Sequence, residues 1–470
     1  MTTIYVSSNV ISSANNTPDY LLAQYTTLVV APNVDVVSQN YDCIDTTSGG
    51  ASIINSGQIY GNYTAISNTY SSSYSQMTIT NEAGGSIIGG NSAIYIGVNA
   101  FSIVNYGSIA NSSYSNFAIQ TSGTGTFLNY GSLSGGYFDT ANSSQHLYFY
   151  NAGTISGIPS ATSQDAFDGV DGSGQETLMN VGSMFGNVTM SNGAGDILDN
   201  EGHMAGSVSM GANTSNLVHN GGTMDATGVS GTGFTLVDSV LDNVGLMYQS
   251  LSTASPVNMI TFADHAGDYF RNSGVVAEIH GAAGSNAVAF GNGAGDALDN
   301  QASGVIYGNV SFGSGAGDAM VNDGAIYGNV TLGNGAADAY YGQKGHLYGN
   351  VVCGSGGDYV YSGSGYETAT AGLGNDVFYA GAGGGLVINE TAAAQHANEL
   401  DTVANFQVAT GVAGQGTYLH FDASMASSTF FMSDGHSGTW IAMSLGGGNY
   451  SFIDVLGAGV STVQSQSYFA

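Results

Sequence analysis

The sequence predicts an all-β protein: a parallel β-solenoid, a β-helix passing into a flatter β-roll, with a small C-terminal β cap. Three observations predict it. The first is composition: 73 Gly but only 4 Pro in 470 residues, with aromatic and β-branched side chains throughout. Disordered chains are poor in such residues, whereas short strands joined by glycine turns are rich in them. The second is an Asn-Gly-strand motif that returns every 22 to 26 residues in the first half of the chain. A period of that size means stacked coils. The third is a nine-residue repeat in unbroken register from Cys353 to Ile388.

Residues 1–50 alternate apolar and polar side chains, with Tyr25-Thr26-Thr27-Leu28-Val29-Val30 the clearest strand, and are expected to form an N-terminal cap or first irregular coils. Residues 51–175 make an acid-poor Asn/Gly solenoid, with NSGQIYGN at Asn55, NEAGGSIIGGN at Asn81, NYGSIAN at Asn105, NYGSLSGG at Asn129 and NAGTISG at Asn151. Each Asn is placed to hydrogen-bond its own turn and to stack on its copies. These repeats resemble those of autotransporter passengers and filamentous adhesins, a likeness of architecture more than of family.

Residues 176–352 make an acidic solenoid. A G-N-V strand recurs at Gly186, Gly308, Gly328 and Gly349, and a glycine turn ends in Asp196, Asp296, Asp318 and Asp338. From Asp296 the steps between turn acids are 22, 20, 20 and 18 residues, so the period tightens into that of the nine-residue repeat. Residues 160–180 and 224–272 break the period. The first holds Asp165, Asp168 and Asp171, readable as a cation loop or as a solvated insertion. The second reads as a bulge or lateral loop.

From Cys353 the units read CGSGGDYVY, SGSGYETAT, AGLGNDVFY and AGAGGGLVI. Asp358, Glu367, Asp376 and then Gly385 hold the acidic position, and Val360, Ala369, Phe378 and Val387 the inward apolar one. Gly354, Gly356, Gly372 and Gly374 supply backbone angles closed to other residues. Turn carbonyls plus one carboxylate make a hard-oxygen cage suited to calcium. Residues 353–389 thus resemble the RTX (repeats-in-toxin) β-roll, in which a nonapeptide is half a coil. The resemblance implies Ca2+ between Asp358 and Asp376, eighteen residues apart on one side. Glu367 would lie on the other side, facing Gly385. The upstream turns, at Asp196, Asp296, Asp318 and Asp338, carry their glycines one residue closer to the acid. There calcium competes with an Asp that hydrogen-bonds its own turn.

Residues 390–470 are similar to the terminal region of the same family. Asp401-Thr402-Val403 with Phe406 comes first, then TWIAMSLGGGNYSFIDVLG from Thr439, and the apolar close Tyr468-Phe469-Ala470. The resemblance implies a C-terminal cap carrying a type I secretion signal, with the type I secretion machinery as a partner. It places the protein outside the cell or on the surface of a Gram-negative bacterium. The amino-terminal MTTIYVSSNVISSANN has neither a basic n-region nor an apolar core, so it does not read as a signal peptide. No apolar run is long enough for a membrane helix, and no membrane insertion is expected. Cys43 and Cys353 lie in different halves of the chain and are expected to be free.

Charge narrows the functions. Two basic residues, Arg271 and Lys344, stand against 33 Asp and Glu, for a net charge of -31. That excludes nucleic-acid binding by a basic surface. Only six of the acids precede residue 164, so the demand for cations falls on the second half. The chain holds no H-E-x-x-H and no G-x-S-x-G. Asp264-His265 is the one tight acid-His pair, and paired acids on adjacent coils suit calcium turns better than glycoside hydrolysis. No enzyme is expected. The whole chain reads as scaffold: a secreted calcium-binding structural protein that self-assembles, through solenoid ends or sides, into a surface layer or extracellular filament. An adhesin or biofilm-matrix protein that meets cell-surface polysaccharide is the alternative, and a carbohydrate-active β-helix enzyme the third.

Overall fold

The computed structural model describes residues 2–46, 50–69, 76–97, 100–113, 116–140, 145–157, 164–170, 172–212, 215–250, 255–279, 281–342, 344–382, 384–409 and 415–470. The fold is a parallel β-solenoid of about 15 turns. It divides into two units, Met1–Val229 with Gly233–Val237, and Ser230–Thr232 with Asp238–Ala470.

In the first unit each coil contributes one strand to each of three faces. One coil is Met77–Asn81, Ser86–Gly89 and Ser92–Ile96, and the next begins at Phe101–Asn105. Alternation makes these strands: in MTITN, Met77, Ile79 and Asn81 are buried and the threonines between them are half-buried. Parallel pairing in strict register then stacks like on like. Ile79 lies on Ile103, Ile103 on Phe127 and Phe127 on Phe149 along the first face. Ile87, Ile109 and Leu133 do the same on the second, and Ile94, Ile119, Tyr137 and Phe167 on the third. The rings of Phe127, Tyr137, Phe149 and Phe167 meet at centroid distances of 5.0 to 5.8 Å. Each such side chain fully buried is worth about 1.5–3 kcal/mol.

The structure corrects three expectations. The N-terminal segment is not irregular: Thr2–Val6 pairs in parallel with Thr26–Val30, and that strand with Ser52–Asn55. Asp165–Asp168 is a third-face strand, with Ala166 and Phe167 buried, so sequence proximity of the acids does not make a cation loop; Asp171 and residues 158–163 lie outside the described residues. The stretch 224–272 also holds regular strands, among them Phe234–Leu236 in the first unit and Ser239–Asn243, Leu246–Ser250 and Tyr269–Asn272 in the second. Longer connections between them hid the period, and residues 251–254 are outside the described ones.

The second unit starts with three strands per coil and ends with two. Among the described residues, His346–Leu347 is the last second-face strand. Beyond it the coils alternate between third-face strands (Asn350–Val352, Tyr366–Thr370, Gly385–Glu390) and first-face strands (Tyr359–Tyr361, Val377–Tyr379, Leu400–Ala404). This narrowing is what the shortening period encodes. The last segment turns antiparallel through Thr429–Ser433, Thr439–Gly446 and Asn449–Val455, the last of which also runs parallel to Leu400–Ala404. No helix among the described residues is long and apolar enough to cross a membrane. Cys43 and Cys353 are free and buried.

Candidate metal centre: a column of buried carboxylates

Two polar columns run along the coils, at opposite ends of the first-face strands. At the C-terminal end stands asparagine. Asn55, Asn81, Asn105, Asn129 and Asn151 each donate from Nδ2 to the Oδ1 of the next, Asn151 to Asn180, all at 2.8 Å. In the second unit Asn243, Asn272, Asn300 and Asn322 repeat the pattern at 2.8 to 2.9 Å. A carboxamide carries both donor and acceptor, so a column of them satisfies itself.

At the N-terminal end of the same strands the second unit places aspartate. Register aligns Asp268, Asp296, Asp318, Asp338, Asp358, Asp376 and Asp401, each just before or at the start of its strand. All are buried, at most 1 % exposed. Backbone N–H groups of the column donate to the carboxylate one coil on: Asp268 to Asp296 (3.0 Å), Asp296 to Asp318 and Asp318 to Asp338 (2.9 Å). Asp358 does so to Asp376 (2.9 Å) and Asp376 to Asp401 (2.8 Å). In the first unit Asp196 accepts from the Glu176 N–H at 2.7 Å.

A carboxylate has no donor of its own, so this column is not self-sufficient. Oδ2 of Asp268, Asp296, Asp318, Asp338 and Asp401, and Oδ1 of Asp358, are buried without a hydrogen-bond partner. Loss of hydration pushes Asp196, Asp268 and Asp338 up to about 6, and Asp296 and Asp358 up to about 7. Asp318 and Asp376 rise from the same cause, and Asp401 rises well above the carboxylate range through burial and the charges of Glu390 and Asp376. Neither basic side chain reaches them. Arg271 pairs with Asp242 at 2.7 Å and Lys344 with Asp323 at 3.2 Å, both on the exterior.

The glycines of the turns serve close stacking. A Cβ on Gly354 would stand 1.1 Å from the Gly333 carbonyl oxygen; one on Gly356 would stand 1.6 Å from that of Gly335, and one on Gly372 1.7 Å from that of Gly354. Gly374 adds a positive φ of 132° and lies over Gly356. The one-residue offset between the two turn types also has a geometric cause. Upstream, the residue just before the acid is left-handed (Gly195, Gly267, Gly295, Gly317 and even Ala337, at φ 66° to 81°). In the two-strand coils the acid instead folds back on its own turn, Asp358 Oδ2 accepting from Gly354 N–H and Asp376 Oδ2 from Gly372 N–H, both at 2.9 Å.

The structure thus brings Asp358 and Asp376 together, with Asp296, Asp318 and Asp338 in the same column, and Asp196 at the equivalent corner of the first unit. It does not bring Glu367 there. Glu367 lies in a third-face strand, buried, accepting from Gly363 N–H at 3.0 Å and pushed up to about 7 by burial. Its register partner is Leu386, while Gly385 pairs with Tyr366. The last nonapeptide is thus shifted by one residue, and Ile388 rather than Val387 lies over Ala369. Asp264 is not paired with His265 by hydrogen bonding: its Oδ1 accepts from the Asn292 N–H at 2.8 Å.

Sequence reasoning missed Asp268, Asp401 and two neighbours, Glu390 and Glu399. The tripeptide Ala-Gly-Asp at 266–268, shared with the turns at Asp196, Asp296 and Asp318, was the available signal for the first. Glu390 is buried with Oε1 unpartnered, and burial and Asp376 push it up to about 8. Glu399 accepts from the Gly374 and His396 N–H groups at 2.6 and 2.8 Å. Dehydrated carboxylate oxygens without donors suit a hard cation, so the residues present fit calcium on donor chemistry.

The fold defines the class, a parallel β-solenoid. No protein-family model matches the chain, and neither a curated protein nor a solved structure does.

Proposed function

We propose that the chain is a secreted structural protein of RTX type, whose aspartate column takes up Ca2+ outside the cell and which then self-assembles into a surface layer or filament. The observation that carries this reading is the column from Asp268 to Asp401: buried carboxylates with unpartnered oxygens, while Arg271 and Lys344 pair with other acids on the exterior. Such a column folds with its acids protonated or with cations. At the near-neutral pH and millimolar calcium outside a cell, binding free energy becomes folding free energy. At low calcium the second unit stays unfolded, which keeps that part of the chain fit for the type I exporter.

Assembly is supported by the exterior. Tyr307, Tyr327 and Tyr348 stack at 4.8 and 4.4 Å, and are 45 %, 43 % and 62 % exposed. Uncharged aromatic stripes of this kind mark contact surfaces. Electron microscopy and circular dichroism with and without millimolar calcium test the reading. Calcium-dependent β-structure with ordered sheets or fibres is expected; a chain that folds and assembles equally well in chelator would overturn it.

One observation favours the adhesin reading. A groove of about 370 Å³ is lined by Tyr361, Tyr379, Ser362, Ser364 and Asn405. An aromatic wall with hydroxyl and amide groups suits cell-surface polysaccharide, and calcium-folded but dispersed rods in the microscope would transfer the function there.

A further inference from the structure

One rung of the column differs from the others in chemistry. Cys353 opens the first nonapeptide, where the corresponding positions of the next three units hold Ser362, Ala371 and Ala380. Its Sγ and a carboxylate oxygen from each of Asp358 and Asp376 all lie within 4.8 Å of one another. The three residues are 5 %, 0 % and 0 % exposed. The Asp358 side chain is fully buried, and while its Oδ2 accepts from Gly354 N–H, its Oδ1 has no hydrogen-bond partner, a second observation independent of the clustering. Burial, then the charges of Asp376 and Asp358, push the Cys353 thiol well above its ordinary range. Without a cation it is a thiol.

We propose that Cys353, Asp358 and Asp376 form a site for a borderline divalent cation of the zinc class, distinct in selectivity from the all-oxygen rungs. Calcium takes oxygen ligands, and a sulfur adds nothing to its coordination. Zinc takes thiolate at about 2.3 Å and carboxylate at about 2.0–2.2 Å, four ligands in a tetrahedron. Three donors on two adjacent turns supply most of that set. Binding converts Cys353–SH to a metal thiolate and releases its proton to solvent, so affinity rises with pH. The site ties the turn before Tyr359–Tyr361 to the turn before Val377–Tyr379, within the coils that have lost their second-face strand. The inference deepens the calcium reading at one rung but does not stand or fall with it.

The test uses the full-length chain carrying Cys43→Ser, which leaves Cys353 as the sole thiol, with Co2+ and Zn2+ as probes. One equivalent of Co2+ should bind with a thiolate-to-cobalt charge-transfer band that excess Ca2+ does not abolish. Replacing Cys353 by Ser as well should remove the band and cost at least the roughly ten- to hundredfold in affinity that even outer-shell partners are worth. Zinc-edge X-ray absorption needs no change at the site: one sulfur neighbour near about 2.3 Å supports the assignment, and an oxygen-only shell overturns it. A cobalt band in a chain that calcium does not fold would remove the calcium reading and keep this one. Calcium-driven folding without the band would do the reverse.

Discussion

The two units solve the same problem, one strand stacked on the next, with different residues at one corner. In the first unit the position that opens the first-face strands is filled in successive coils by Ala51, Met77, Phe101, Gly125 and Leu147, before Glu176 and Asp196. In the second unit it is aspartate from Asp268 to Asp401. The opposite corner is asparagine in both. The difference teaches that the coil does not need a charge there: apolar burial closes the corner equally well. The seven buried acids of the second unit are therefore not a requirement of coil stacking itself.

The largest expected effect is cation removal. At pH 7.5, chelator should raise amide exchange in strands between Asp268 and Ala404 by tenfold or more on the order of the binding free energy lost. Exchange between Ala51 and Asn151 should stay unchanged. Equal acceleration in both regions would break the comparison.

The pH dependence of the metal-free chain comes next, and its sign is opposite to ordinary acid denaturation. These acids titrate higher in the folded state than the usual 3.8, so the folded state binds more protons. Their contribution to stability is fully present below pH of about 4 and is lost as pH rises through about 6 to 7. Trp440, the single tryptophan, belongs to the second unit and reports on it alone. In chelator its urea midpoint should fall from pH 4 to pH 8, and a rising midpoint would show that the column is not what titrates.

Much of this was legible in the sequence, and what was missed has physical causes. The Asn column could be read because each rung carries its own donor and acceptor at a fixed place before a glycine, so spacing and chemistry coincide. The narrowing to two-strand coils was written in the shrinking steps after Asp296. Asp268 was hidden by the long connection before it, which displaced it from the expected period while leaving its register intact. Glu367 lies on the expected opposite side, but its partner is Leu386 rather than Gly385, because a nonapeptide count assumes equal coils and one extra residue before Gly385 shifts the pairing by one. The inward burial of the acids was not legible at all. A motif gives the turn, but which side of the backbone its carboxylate takes is decided by the coil above.

Two substitutions in the first unit rank the forces that hold its coils. Phe149 is fully buried between the rings of Phe127, Tyr137 and Phe167. Phe149→Ala should cost about 3–5 kcal/mol by loss of contact and an unfilled cavity. Asn105→Ala should cost less, about 1–3 kcal/mol. It leaves Asn129 Oδ1 without its donor, while Asn81 Nδ2 keeps the carbonyl oxygens of Gly85 and Ser108 at 3.2 and 3.1 Å. Urea titrations of the isolated substitutions decide the order. An asparagine change that outweighs the phenylalanine would mean that the column, not the core, sets the stability of this unit.

The smallest effect sharpens the comparison most directly. Arg271 makes a two-pronged bond to Asp242, Nε and Nη2 at 2.8 and 2.7 Å from its oxygens, on the outer side of the first face. It is 46 % exposed, so salt screens the pair and Arg271→Gln should cost no more than about 1 kcal/mol. The column lies on the inner side of the same sheet, at its end, and Arg271 does not reach it. The substitution should therefore leave both the calcium midpoint and the pH profile of the second unit where they were. If either moved, Arg271 would be acting on the buried acids through the sheet.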